Sequence, residues 1–374
     1  MKRLPAVFMR GGTSKALMFH LRDLPADRAE WDALYLTAMG SPDPHGRQLN
    51  GMGGGVSSLS KVCVLGPPTR PDADLDYTFA QILVTEARVD YSGNCGNMSS
   101  AVGPFAVEEG LVAAGDGERI VRIHNTNTKK IINSTFRVKD GRACVEGELE
   151  IPGVAGTGSP VRLDFLDPGG AVTGKLLPTG NPRDTLEIPG IGSIEASMVD
   201  AANPVVFLAA KALGLKGTEM PDALDANPQL LERIATIRRH ASVAMGIAKT
   251  VEEARSKSMP QIGFVSAPQE SRTLSGQVIP ATAADLTVRI ISNGQPHRAL
   301  PLTGSLCTAV ACGIQGTIPH QYARPGSAGT LRLAMPSGVL TVGAEVVREG
   351  KEWRAVRGSF YRTARRLFDG YVYA

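Results

Sequence analysis

The chain has 374 residues, of which 43 % are hydrophobic and 20 % charged, with a formal net charge of +4. That length predicts two or three domains at roughly 150 residues each, and no apolar run approaches the ~18 residues of a membrane-spanning helix. The 40 basic and 36 acidic residues are interspersed, so no basic stripe points to nucleic acid. The opening MKRLPAVFMRGGTSK lacks the apolar stretch of a signal peptide, so a cytoplasmic chain with no membrane contact is expected.

In chain order, residues 6–20 (AVFMRGGTSKALMFH) read as strand, glycine turn, strand. A helix follows in RAEWDALYLTAMG, ending at Gly40. Short apolar strands are expected at SKVCVLGPP (60–68) and DLDYTFAQILV (74–84). A helix of small residues comes next in NCGNMSSAVGPFAVEEGLV (94–112), and then a hairpin in STFRVKDGRACVEGELE, turning at Asp140-Gly141. The same elements then recur. IEASMVDAANPVVFLA (194–209) is again strand, turn, strand, and PQLLERIATIRRHASVAMG is a helix ending at Gly246. PQIGFVSAP (260–268) and AADLTVRIISN (283–293) are strands, LTGSLCTAVACGIQGTI (302–318) is a small-residue helix, and VGAEVVREGKEWRAVRGSF is a hairpin turning at Glu349-Gly350.

Six elements in one order, matched roughly 200 residues apart, predict two copies of one unit. The join is placed at LLPTGNPRD, giving domains 1–183 and 184–374, with a polar insert at 216–258 in the second. The fold class is α+β. The two small-residue helices are apolar on all sides, so each is expected to run buried inside a curled, mostly antiparallel sheet. Both begin at glycine-containing loops, GNCGN (93–97) and TGS (303–305). Helix starts offer unpaired N–H groups and a positive dipole. Two of them across an interdomain cleft are expected to bind a small polycarboxylate.

Cys95 stands at such a start, where the dipole favours a thiolate that can act as acid or base. Its flanking glycines and asparagines argue against the usual packing role of a lone cysteine. Cys63, Cys144 and Cys312 read as packing residues, and Cys307 is undecided. Lys61 closes GMGGGVSSLSK before a strand. It is either a desolvated general base, a fixed cation for a carboxylate, or a surface lysine. Arg10, Ser14 and Lys15 are candidates for an anion pocket, Ser58 with its neighbouring serines offers hydroxyl donors, and His297 is either a substrate contact or exposed. RGGTSK and GMGGG lack the full P-loop and dinucleotide spacings, so no nucleotide is expected. The five cysteines and six histidines show no zinc pattern, so no metal site is expected.

MRGGTSK, GSPDP, NGMGGGVSSLSK, VDYSGNCGN, GPFAVEEGLV, LLPTGNPRD and TARR with its following GY together resemble the PrpF-type isomerases. These are relatives of 2-methylaconitate cis–trans isomerase, 3-methylitaconate Δ-isomerase and 4-oxalomesaconate tautomerase. The resemblance covers essentially the whole chain. It implies a fold similar to diaminopimelate epimerase, with two pseudo-symmetric domains, and cofactor-independent proton transfer on small unsaturated di- or tricarboxylates. It implies Lys61 and Cys95 as catalytic residues and Asn94, Gly96, Asn97, Thr303 and Gly304 as binding residues, with Ser305 beside them. The epimerases face two cysteines across their domains. Here the repeat sets Pro301 opposite Cys95, so a two-thiol racemisation is not expected and Lys61 would be the second acid/base. The expected reaction passes through a dienolate. The expected partner is the substrate alone, with a homodimer left open. A non-catalytic carboxylate-binding protein and an amino-acid epimerase are the competing readings.

Overall fold

A computed structural model describes residues 2–257, 259–292, 294–326 and 329–374. Asn293, the last residue of one expected strand, lies outside them. The fold is mixed α/β, mostly sheet with few helices. The principal elements in chain order are β1 (Arg3–Gly11), β2 (Ser14–His20), α1 (Trp31–Met39), β3 (Lys61–Gly66), β4 (Leu75–Ile82), α2 (Gly96–Glu108), β5 (Gly117–Asn125), β6 (Lys130–Lys139) and β7 (Val161–Leu166). They continue as β8 (Asp184–Ile188), β9 (Gly192–Ala201), β10 (Asn203–Ala209), α3 (Pro228–Ala244), β11 (Gln261–Ser266), β12 (Leu286–Ser292), α4 (Leu302–Gly313), β13 (Thr330–Met335), β14 (Gly338–Glu349), β15 (Glu352–Arg362) and β16 (Ala364–Tyr373). No described helix is long and apolar enough to cross a membrane.

The chain forms two compact units, Met1–Asp164 with Tyr361–Ala374, and Phe165–Phe360. The expected join at 183/184 therefore falls inside the second unit, just before β8. The expected C-terminal domain also loses its last strand to the first unit. The reason is a ladder: β16 pairs antiparallel with β1 from Arg3↔Tyr373 to Gly11↔Ala364.

In the first unit β1 pairs antiparallel with β2, β2 parallel with β3, β3 antiparallel with β4, β4 parallel with β5, and β5 antiparallel with β6. The two sheet faces carry different loads, as the alternation of side chains along a strand requires. Leu17, Phe19, Val62, Val64, Ala80 and Ile82 share a core with α1. That helix buries Trp31, Leu34, Tyr35, Ala38 and Met39, a helical period, and ends at Gly40 with φ 74°. The other face wraps α2, which packs on β1, β2, β3, β5, β6 and β16. Every residue of α2 from Met98 to Val107 is buried, as its apolar circumference predicts.

In the second unit β8 pairs antiparallel with β9, β9 antiparallel with β10, β10 parallel with β11, β11 antiparallel with β12, β12 parallel with β13, and β13 antiparallel with β14. One face shares a core with Leu230, Ile234, Ile237 and Ala241 of α3. The other carries α4, buried from Leu302 to Cys312 and packed on β9, β10, β13 and β14. The order and sense of these pairings are those of the first unit when β16 is counted as its first strand.

Two expected hairpins differ in detail. The first has its turn at Asp140 and Gly141, both at positive φ (52° and 71°), but returns only as Arg142–Ala143. The second turns at Gly350-Lys351, between the paired Glu349 and Glu352. Cys144 lies just past the short return strand and is half-buried.

Candidate active site

Lys61 is the first residue of β3 and lies on the face that wraps α2. The parallel ladder pairs it with Ala16, and the antiparallel ladder pairs it with Gln81. Its side chain is buried, at 7 % exposure. The ammonium donates to Gln81 Oε1 and sits 5.1 Å from the centre of the Phe79 ring, which stabilises a cation through the ring quadrupole. Gln81 is itself fixed: its Nε2 donates to the carbonyls of Ser57 (3.0 Å) and Ser60 (2.9 Å). Among the described residues no carboxylate lies within ion-pair distance of Lys61; its partners are an amide and an aromatic ring.

The loop before Lys61 is organised by two residues. The Asp43 carboxylate takes the N–H groups of His45 (2.9 Å), Arg47 (3.0 Å) and Gln48 (2.5 Å), and these bonds, His45 first, hold it below the usual carboxylate range. Gln48 accepts at Oε1 from Gly55 N (2.9 Å) and Ser60 Oγ (2.5 Å), and donates to Ser41 Oγ (2.8 Å). Gly53 passes so close that a Cβ there would lie 2.3 Å from Gln48 Cδ. Ser58 sits half-buried in a single 3-10 turn, Ser57–Leu59, just before the lysine.

Cys95 is the N-cap of α2, in extended conformation (φ −103°, ψ 99°), and its side chain makes no capping bond. The thiol is free and half-buried. Ser99 closes the turn with N and Oγ bonds to the Cys95 carbonyl at 2.9 and 3.0 Å. Cys63, two residues along β3 from Lys61, donates to the Tyr77 hydroxyl at 3.8 Å. Burial, above all, pushes the Cys63 thiol up; Cys95 adds to the rise and Lys61 opposes it. Cys63 and Lys61 share β3, a strand against which α2 packs. Burial likewise raises the Tyr77 phenol well above its ordinary value, with Cys63 and Cys95 contributing.

Asn94 accepts at Oδ1 from Ser99 Oγ (3.3 Å) and Asn125 Nδ2 (3.4 Å), while its Nδ2 is buried without a partner. Asn97 binds the MRGGTSK hairpin: its Nδ2 donates to Thr13 Oγ1 (3.1 Å), and its Oδ1 accepts from Thr13 N (3.4 Å) and Arg362 Nε (3.2 Å). The approach is close enough to require glycine. A Cβ on Gly12 would lie 2.2 Å from Asn97 Oδ1, and Gly12 has φ 50°. Gly96 opens the helix and is buried.

Ser14, 2 % exposed, shares the alternation of Ala16 on the α2 face. Lys15 is on the opposite face, its ammonium 5.6 Å from the Phe8 ring. Arg10, paired with Lys15, donates to the carbonyls of Gly12 (3.0 Å) and Thr363 (2.9 Å). In the first unit Lys61 and Ser14 thus lie on the α2 side of the sheet, Ser58 lies in the turn before Lys61, Asn94, Cys95, Gly96 and Asn97 make the start of α2, and Lys15 is set apart.

Thr303, Gly304 and Ser305 belong to the second unit, in the first turn of α4. Thr303 Oγ1 accepts from Asn203 Nδ2 (2.8 Å). Ser305 spends its hydroxyl on the Pro301 carbonyl (3.0 Å). Cys307 is fully buried, donates to the Val199 carbonyl (3.4 Å), and is raised by burial, so it is a packing residue. His297 is half-buried, and burial lowers its imidazole. Among the described residues no three His, Cys, Asp or Glu side chains gather as a metal site.

Several residues of this arrangement carry no sequence signal of their own. Gln81, Gln48 and Asn127 read as ordinary polar residues. Asn127 clips β4 to the loop before Cys95, accepting from Phe79 N (2.8 Å) and donating to the carbonyls of Phe79 (2.9 Å) and Tyr91 (2.8 Å). Arg362 is 5 % exposed, and burial brings its guanidinium down to about 9. Arg362 stands just outside the TARR motif.

A solved methylitaconate-delta-isomerase superposes on the chain with a TM-score of 0.88 at 42 % identity, covering 99 % of this chain and 95 % of that one. The 3-methylitaconate isomerase of Eubacterium barkeri is 44 % identical over 99 % of this chain and 97 % of its own length. The 2-methyl-aconitate isomerase of Shewanella oneidensis is 38 % identical over 99 % and 96 %. A hydroxyproline epimerase from Agrobacterium vitis shares the fold alone, with a TM-score of 0.54 at 12 % identity over 99 % and 92 %. The chain is by class an isomerase with an epimerase-like fold. A family model described as PrpF protein matches residues 1–374, and the chain belongs to the PrpF family.

Proposed function

We propose that this protein is a cofactor-independent isomerase of small unsaturated di- or tricarboxylates of the methylaconitate and methylitaconate type. The observation that carries the reading is the setting of Lys61. It is a buried lysine held by a neutral amide and a ring, on the sheet face that wraps the helix begun by the free Cys95 thiol. With one N–H committed to Gln81, the Lys61 nitrogen has few directions left for a further partner, which is the positioning a general base needs. The amine takes a proton α or γ to a carboxylate, leaving a dienolate. The unpartnered Asn94 Nδ2 and the free N–H groups of the α2 start are suited to the developing negative charge. The proton returns at another carbon, or at the same carbon after rotation, and Cys95 either delivers it or polarises the carboxylate. The burial of Cys307 against Val199 counts against a second thiol base and so against racemisation by a cysteine pair. We also propose that the two units are copies of one ancestral unit, a reading supported by the shared order and sense of their strand pairings.

The test is NMR of aconitate, methylaconitate, methylitaconate and oxalomesaconate in D₂O with the purified protein. Solvent deuterium is expected at a vinylic or allylic carbon of at least one acid. Lys61→Ala is expected to lower turnover by about 10²- to 10⁴-fold, the range of a lost acid–base group. Ordinary turnover in that variant overturns the role of the lysine.

A further inference from the structure

The second unit contains a counterpart of the lysine position. Gln261 is the first residue of β11 and opens its parallel ladder with β10 at Val205↔Gln261, just as Lys61 opens the parallel ladder of β3 with β2. Gln261 meets the first turn of the buried helix of its unit, and Lys61 lies on the side of its sheet that wraps α2. Gln261 is 4 % exposed, and its Oε1 is buried without a hydrogen-bond partner. This side chain is aimed at the first turn of α4: a Cβ on Gly304 would lie 2.8 Å from Gln261 Oε1. That helix begins after Pro301, which has no side-chain oxygen, and no side chain caps it. Ser305 N is taken by the Pro301 carbonyl (2.8 Å), which leaves the N–H groups of Leu302, Thr303 and Gly304 as the orphan donors of the helix start.

An unmade hydrogen bond on a buried amide costs stability that a fold does not ordinarily accept without a return. Gln261 Oε1 and Ile290 Cδ1 both come within 2.8 Å of where a Gly304 Cβ would lie, so the amide reaches the turn that carries the three orphan donors because residue 304 has no side chain. A half-turn about the last torsion of Gln261 exchanges O for N and presents a fourth donor to the same place. Four neutral donors at the positive end of a helix match a carboxylate.

We propose that Gln261 is a specificity-determining residue of this isomerase, binding a substrate carboxylate together with the N–H groups of Leu302–Gly304. The proposal rests on the polycarboxylate reading above. It takes the place of the lysine in the second unit and makes it a binding position, with no base.

The experiment measures the affinity of the unreactive tricarboxylate tricarballylate by calorimetry, and kcat and KM for whichever acid turns over, in Gln261→Met and Gln261→Glu. Met keeps the volume and removes both polar ends. It is expected to weaken affinity and raise KM by about 10- to 100-fold while kcat stays within about threefold, the pattern of lost uniform binding. Its Tm is expected to hold or rise, because an unpartnered buried polar atom is gone. Glu adds a negative charge and is expected to weaken binding further. If the Met variant fails to fold, Gln261→Asn keeps the amide at shorter reach and is expected to show an intermediate loss. Affinity within twofold of the parent in these variants, or a loss that falls in step with Tm and kcat, overturns the proposal. Tight tricarballylate binding by a parent protein that isomerises none of the acids would overturn the proposed function and leave the carboxylate site standing.

Discussion

At the scale of single residues, the setting of Lys61 depends on side chains that the sequence did not single out. Lys61 is held because Gln81 offers it an oxygen, and Gln81 offers the oxygen because its nitrogen is committed to Ser57 and Ser60. Gln81→Leu leaves a buried ammonium facing a methyl group. It is expected to lower kcat by about 10- to 100-fold, with a stability loss of about 1–3 kcal/mol from the unsatisfied donor, read by steady-state kinetics and thermal melts. Lys61 and Cys95 drew notice because their surroundings are unusual in sequence, one ending a glycine-serine loop, the other set between asparagine and glycine. Gln81 did not, since a glutamine in a strand looks alike whether it faces water or a buried lysine. Lys15 shows the opposite failure: its neighbours in MRGGTSK drew it into the site, but strand alternation turns it to the other face with Phe8.

Among elements, the helices were the most readable. Glycine stops α1 at Gly40, and the apolar circumference of α2 and α4 foretold their burial. The strands that escaped notice have weak periodicity for a physical reason. β5 is exposed along most of its first half, and β16 is exposed at most positions, so neither shows a regular alternation of polar and apolar residues. Polar clips fasten such strands to their neighbours. Asp285, 5 % exposed, accepts from Arg332 N (2.9 Å), Nε (3.1 Å) and Nη2 (2.7 Å), tying the start of β12 to β13. The Arg332 bonds hold its carboxyl below the usual range. A carboxyl depressed in the fold stabilises it above the ordinary value of about 4, and that contribution is lost as pH falls through the folded value. Asp285→Asn is therefore expected to lower Tm at pH 7. The gap to the parent protein should narrow as the solution is taken below about pH 4. A gap of constant size in calorimetry across that range would contradict the assignment.

For the whole molecule, the shared order and sense of strand pairings in the two units were foreshadowed by the order of elements, because six matches at similar spacing survive errors in any one. The boundary was not readable, because it depends on a pairing between chain ends that no local pattern encodes. β16 does more than complete a ladder. Arg366 reaches Glu108 (2.9 Å) and Glu109 (2.6 Å) at the end of α2, and Glu109 in turn meets His20 of β2 (3.0 Å). Ending the chain after Thr363 removes the strand and this clamp together. Amide hydrogen exchange is expected to rise throughout β1 and the end of α2, while α3 and β11 keep their protection. Uniform protection in the shortened chain would show that β16 is dispensable. The same ladder sets an order of events during synthesis. The strands of Phe165–Phe360 are all translated before β16, whereas the unit containing the N-terminus cannot close its sheet until Ala364–Tyr373 emerges. The half made first is the half finished last, and until then β1 waits with an unpaired edge.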